Sequence, residues 1–136
     1  HQTHQFFLTL ITDAVESLAA KLKNIERLRA GDLLLKDAIC GYHLEGPWLS
    51  PEPGYRGAHD PKHMGPPSFE DFQRLQEAAN GHIRLVTLAP EWPGSGRTIE
   101  QIVQSGVHVS LGHTNASDKD IDAAIAAGAM FCTHLG

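Results

Sequence analysis

Absences set the first bounds on this chain. No apolar stretch approaches the roughly 20 residues that a helix needs to cross a bilayer. No leader with a basic start and an apolar centre opens it. These two absences exclude a membrane span and a secretory signal from the segment. No cluster of Lys and Arg stands out, and the 16 acidic against 11 basic side chains leave a formal charge of -5. A nucleic-acid partner is therefore excluded, since phosphate binding needs a basic face. There is no low-complexity tract, no Gly-x-Gly-x-x-Gly turn and no P-loop, so a nucleotide fold lacks its signature. Cysteine is scarce: Cys40 and Cys132 are the two present. Both fall in apolar strand candidates and read as buried free thiols in a reducing, cytoplasmic compartment.

What is present is a domain-sized chain of 136 residues with nine His. It begins at His1 and stops at Gly136, and both ends read as cut. Phe6 to Thr12 is apolar and β-leaning. Asp13 is placed to cap a helix over Ala14 to Arg29, whose Val15, Leu18, Ala19, Leu22, Ile25 and Leu28 recur at helical spacing, with Gly31 as its C-cap. Leu33 to Leu35 read as a loop or short turn, and Lys36 to Glu45 as a strand. Residues 46–67 hold six Pro and four Gly and form a long loop, a length usually tied to function. Ser68 caps a helix to about Asn80, His82 to Leu88 is a strand, and Thr98 to Ser105 is a helix. Val107 to Leu111 is a strand, Ser117 caps a helix to Ala127, and Ala129 to Thr133 is the last strand.

Five strands alternating with four helices imply a parallel sheet. A closed eight-stranded barrel takes about 250 residues, roughly 30 per βα unit. The fold class expected is therefore α/β, a partial (β/α)8 barrel with about five consecutive parallel strands. Residues 1–136 would be a single segment of that barrel.

Three strands end on a residue able to bind a cation: Glu45 after Tyr42-His43-Leu44, His113 after Ser110-Leu111-Gly112, and His134 after Phe131-Cys132-Thr133. Parallel strands put all their C-terminal ends on one rim, where such barrels hold their active sites. One carboxylate and two imidazoles there make a site for zinc, iron, cobalt or manganese. His43, two residues before Glu45, lies one layer deeper and reads as a hydrogen-bonded core residue. Glu91 also ends a strand, and spacing alone does not choose between it and Glu45. His59, near Arg56 in the long loop, either binds an anionic ligand or is solvated.

Gly41-Tyr42-His43-Leu44-Glu45-Gly46-Pro47-Trp48-Leu49, Gly57-Ala58-His59, Val86-Thr87-Leu88-Ala89-Pro90-Glu91, Ser110-Leu111-Gly112-His113-Thr114-Asn115-Ala116 and Thr133-His134-Leu135 together resemble the N-acetylglucosamine-6-phosphate deacetylases of the amidohydrolase superfamily. The resemblance runs in register from about Phe6 to Leu135. It implies a metal-dependent (β/α)8 barrel flanked by a small β domain, with that domain and the remaining strands outside this chain. It implies Glu45, His113 and His134 as metal ligands, zinc foremost, which decides against Glu91. It implies that Ala58 and His59 contact an amino-sugar phosphate, whose acetyl group is hydrolysed. The catalytic aspartate of the family lies on the last barrel strand, beyond the chain end, so the chain as given would be inactive. A homo-oligomer is expected for the full-length protein. The alternatives are an amidohydrolase for a related N-acetyl sugar phosphate or a cyclic amide, or a non-catalytic barrel fragment. Family members usually follow Thr-His-Leu with an aromatic-Asn-Ala-Met run, and here Gly136 follows instead.

Overall fold

Every strand of the sheet pairs in parallel with the strand next to it in sequence. The computed structural model describes residues 4–134, so Leu135 and Gly136, the end of the last motif, lie outside the described residues. The strands are β1 (Phe6–Ile11), β2 (Ile39–Glu45), β3 (Ile83–Leu88), β4 (His108–Leu111) and β5 (Phe131–Cys132), in the order β1-β2-β3-β4-β5. Between them run α1 (Val15–Gly31), α2 (Leu33–Ala38), α3 (Phe69–Ala78), α4 (Ser95–Gln104) and α5 (Asp118–Ala126). A single 3-10 turn, Pro61–His63, interrupts the long loop.

The register sorts the side chains into two faces. Leu8 and Leu10 pair with Tyr42 and Leu44, and Val86 and Leu88 pair with Val109 and Leu111. Because side chains alternate across a strand, these residues share the helix-covered face. Leu18 and Leu22 of α1, Phe72 and Leu75 of α3, and Ile99 and Ile102 of α4 bury against them. The other face carries Thr9, His43, Glu45, Thr87 and Ser110, and Thr133 follows β5. Large branched residues usually fill that layer of a barrel; here it is polar.

Several boundaries differ from the sequence reading. Leu33 to Ala38, read as a turn running into a strand, is a helix. Asp32 closes α1 and opens α2, its Oδ1 accepting from Leu34 N at 2.8 Å and Leu35 N at 3.2 Å. One side chain thus satisfies two of the amides that a helix start leaves open. Strict alternation fails at this point, since α1 and α2 are consecutive, and β2 begins at Ile39 rather than Lys36. Gly31 is inside α1 rather than its C-cap. Asp13 lies one residue outside the cap position, which is Ala14, yet its Oδ1 accepts from Ala14 N at 2.7 Å. Leu28 is exposed, off the buried stripe. Ser68 and Ser117 do cap α3 and α5, the latter in a reciprocal box with Asp120. Helix α4 starts at Ser95, three residues before Thr98. Cys40 is half-buried and Cys132 exposed, both as free thiols, so neither is the buried thiol expected. Among the described residues no helix is long and apolar enough to cross a membrane.

Both outer strands expose large apolar side chains: Phe6, Phe7 and Ile11 on β1, Phe131 with neighbouring Met130 at β5. An unpaired edge of this kind templates association. The 136-residue chain by itself should therefore run as oligomers or aggregate in light scattering during gel filtration. A monodisperse monomer with a cooperative melt would contradict the open-barrel reading.

Candidate metal centre

The loop after β2 is pinned before it leaves the sheet. Gly46 turns with φ +89°, and its amide donates to Thr87 O at 3.1 Å. Ala89 N then donates to Trp48 O at 2.8 Å and Ser50 N to His113 O at 2.9 Å. These bonds tie the end of β2 to the ends of β3 and β4, so the Glu45 carboxylate is held at the rim rather than swinging in solvent. Its Oε1 lies 2.8 Å from His113 Nε2, 2.9 Å from His134 Nε2 and 3.7 Å from His59 Nε2. The ligand atoms of Glu45, His59 and His113 lie within 4.8 Å of one another. The structure thus brings His113 and His134 each to Glu45, but among the described residues the donor group that is mutually close has His59, expected at the substrate, in place of His134.

The rings meet edge to face, with centroids 4.5 Å apart for His59 and His113 and 5.1 Å apart for His113 and His134. His113 has φ +51° and His134 φ +58°. Side chains other than glycine rarely adopt this region, at a cost on the order of 1–3 kcal/mol each, and such strain clusters at functional sites.

Hydrogen bonding decides what this convergence can hold. His113 Nδ1 lies 3.0 Å from Tyr55 O. A carbonyl only accepts, so Nδ1 carries the proton and a neutral ring turns the bare lone pair of Nε2 toward Glu45 Oε1. Two acceptors facing each other at 2.8 Å repel unless a cation joins them, as a proton on the imidazole or as a metal ion. A ligating imidazole usually donates its second nitrogen to a carbonyl in this way. The donor set therefore fits a divalent ion. Burial alone would push the Glu45 carboxyl up, but the adjoining His134 and His113 imidazoles outweigh it and hold the pKa below the usual carboxylate range. Burial lowers His59, and the neighbouring His113 lowers it further.

His43 behaves as the sequence reading expects. Burial lowers its pKa, and both ring nitrogens have hydroxyl partners, Thr9 Oγ1 at 3.1 Å and Thr87 Oγ1 at 2.7 Å. Thr87 Oγ1 continues to Thr133 Oγ1 at 2.8 Å, and that atom to Ser110 Oγ at 2.7 Å. One residue from each strand or its end joins this chain of hydroxyls beneath the ligand cluster. Sequence reasoning missed it; Thr9, Thr87 and Ser110 could have been found by following every second residue of each strand. It also missed Thr12, whose Oγ1 donates to Glu45 O at 3.3 Å and lies 2.9 Å from His59 Nδ1. Ala58 is exposed beside His59. Gly57, at φ +58°, packs so close that an added Cβ would stand 3.0 Å from His113 Cε1. A cavity of about 370 Å³ opens next to the cluster, lined by Tyr55, Gly112, His113, Thr114, Thr133 and His134.

No family model matches the chain. Among curated proteins it is similar to N-acetylglucosamine-6-phosphate deacetylase of Bacillus subtilis, 34% identical over 98% of this chain and 34% of that protein. It is also similar to N-acetylgalactosamine-6-phosphate deacetylase of a Shewanella species, 37% identical over 93% of this chain and 30% of that protein. Among solved structures it resembles N-acetyl-D-glucosamine-6-phosphate deacetylase from Mycobacterium smegmatis, with TM-score 0.85 and 39% identity over 97% of this chain and 33% of that one. A mutant of that enzyme was solved with N-acetyl-D-glucosamine-6-phosphate bound. The chain spans about a third of the length of the curated relatives it matches.

Proposed function

From the premise that this chain belongs to the N-acetylglucosamine-6-phosphate deacetylase family, as a segment of its (β/α)8 barrel, we propose that the protein it is part of hydrolyses the acetyl group of N-acetylglucosamine 6-phosphate. The products are acetate and glucosamine 6-phosphate. The observation that carries this reading is the convergence of His113, His134 and His59 on one oxygen of Glu45, with the His113 tautomer set by Tyr55 O.

Glu45, His113 and His134 would hold a divalent ion, zinc first. When bound, such an ion lowers the pKa of water and polarises an acyl carbonyl. The chain's own residues prepare the ground for that chemistry. Thr12, on the Glu45 main-chain carbonyl, and the Gly46 turn fix the backbone from which the Glu45 carboxylate projects. Tyr55 O accepts from Nδ1–H, so that a neutral His113 ring presents Nε2 as its metal-facing lone pair. Ala58 and His59, on the loop over the rim, would contact the sugar phosphate beside the cavity. The proton relayed from water to the leaving amine needs a general base, which by family resemblance is an aspartate on a later strand. The free thiols of Cys40 and Cys132 favour a cytoplasmic setting, and the full-length protein is read as a homo-oligomer.

The similarity to an N-acetylgalactosamine-6-phosphate deacetylase favours a second reading, with the other sugar epimer as substrate. Acetate release from both sugar phosphates, by the complete polypeptide that carries this segment, separates the two.

A prediction follows for the double position of His59. In that polypeptide His59→Ala should keep nearly full metal content. Its kcat/KM should fall by about tenfold or more, since a hydrogen bond to a charged group contributes about 1.5–3 kcal/mol. Metal analysis beside acetate release checks this. Loss of the metal would instead make His59 a ligand with Glu45 and His113.

A further inference from the structure

We propose that Glu91 is a positioning residue for the metal centre, a carboxylate strap that locks the strand exit carrying His113. The proposal rests on the reading of His113 as a ligand and adds a residue to it. Glu91 ends the turn after β3 and is half-buried. Both of its oxygens are engaged by the two residues that follow His113. Thr114 Oγ1 donates to Glu91 Oε2, and Asn115 N donates to Glu91 Oε1 at 2.9 Å. The same Thr114 hydroxyl accepts from Ala116 N at 3.0 Å. Asn115 Nδ2 reaches on to Glu52 Oε2 at 2.9 Å, which ties the exit to the long loop.

This bracing sits where the backbone needs it. His113 has φ +51°, a conformation that persists only where its surroundings over-determine it. On the N-terminal side the exit is held through its backbone, Gly112 N donating to Leu88 O at 3.2 Å. On the C-terminal side Glu91 takes an O–H and an N–H from consecutive residues, which fixes the Thr114 side chain and the peptide plane between Thr114 and Asn115. With Ser50 N on His113 O and Tyr55 O on its Nδ1, the imidazole has one orientation left, with Nε2 toward Glu45. Glu91 itself is no rival ligand in this geometry, since its oxygens face Thr114 and Asn115 and it is absent from the group that converges on Glu45 and His113.

The test measures zinc affinity by chelator competition, and the visible spectrum of the cobalt(II) form, in the complete polypeptide. Glu91→Ala should weaken zinc about 10–100-fold, the usual effect of losing a partner that orients a ligand. Its cobalt spectrum should change, because the His113 ring is free to turn. Thr114→Val should reproduce much of that loss, and Thr114→Ser, which keeps the hydroxyl, should restore wild-type affinity. The double variant Glu91→Ala/Thr114→Val should be little worse than Glu91→Ala alone. Ser68→Ala removes the cap of α3, far from the site, and should lower the Tm while leaving zinc affinity intact. If Glu91→Ala fails to fold, the Thr114 pair decides by itself. Wild-type zinc affinity in Glu91→Ala or Thr114→Val, while Glu45→Gln loses its metal, overturns the strap and leaves the metal centre standing. Full metal in Glu45→Gln overturns the ligand reading and the strap with it.

Discussion

Glu45→Gln, made in the complete polypeptide, should lose most of its bound metal, and acetate release should fall by at least about 100-fold. The lower bound follows because removing a partner that merely orients a ligand already costs 10–100-fold, and Glu45 is proposed as a ligand itself. Its Oε1 is the atom on which His113 at 2.8 Å and His134 at 2.9 Å converge. Glutamine preserves volume and burial but removes the negative charge that balances a divalent ion. One of its two terminal atoms becomes an N–H donor, which cannot bind a cation. The fold should survive, since Glu45 contributes to the rim and not to the apolar layer under the helices. Metal analysis, circular dichroism and acetate release on one preparation check all three statements. A folded Glu45→Gln protein with full metal would remove Glu45 from the site.

Gly46→Ala should be the most damaging change of a single methyl group. A Cβ at Gly46 would stand 2.1 Å from Thr12 Oγ1 and 3.2 Å from Leu49 Cδ1, and the residue has φ +89°. Neither obstacle yields cheaply. Leu49 is fully buried, and Thr12 Oγ1 already bonds Glu45 O and His59 Nδ1. Strain in this backbone region costs about 1–3 kcal/mol, and overpacking a filled site about 1–3 kcal/mol more. The variant should therefore be destabilised by roughly 2–6 kcal/mol as the sum of the two. It should also bind metal more weakly, because Thr12 cannot move without releasing both Glu45 and His59. Urea unfolding and a zinc titration measure the two effects. A Gly46→Ala protein as stable as the parent would mean that the turn relaxes freely and does not position Glu45.

Much of this was legible along the chain because the relevant physics is local. Alternation of short apolar runs with amphipathic stretches was enough for a parallel sheet. The period of two placed Glu45 and His43 on one face of β2. Ser68 and Ser117 announced helix starts through their own side chains. Parallel strands then bring Glu45 and His113 to one rim by topology, with no knowledge of distances.

The failures mark where local signals are ambiguous. Leu33-Leu34-Leu35 has no polar spacing to reveal a period, so it reads equally as a turn. Asp32 nevertheless accepts two amides and starts a helix there, and Gly31 is carried inside α1 although it resembles a stop. Thr87, Ser110 and Thr133 look like ordinary strand residues, and their chain of hydrogen bonds to His43 exists only once the strands are staggered side by side.

By itself the sequence determined the parallel α/β order, the strand-end residues able to bind a cation, and the long loop beyond Glu45. Only the tertiary structure decided that His59 arrives within 3.7 Å of Glu45, that Tyr55 O sets the tautomer of His113, and that Glu91 braces the exit from β4. Each of those depends on the path of a loop across space. That path follows from packing and hydrogen bonds between residues far apart in the chain, which no local period or spacing encodes.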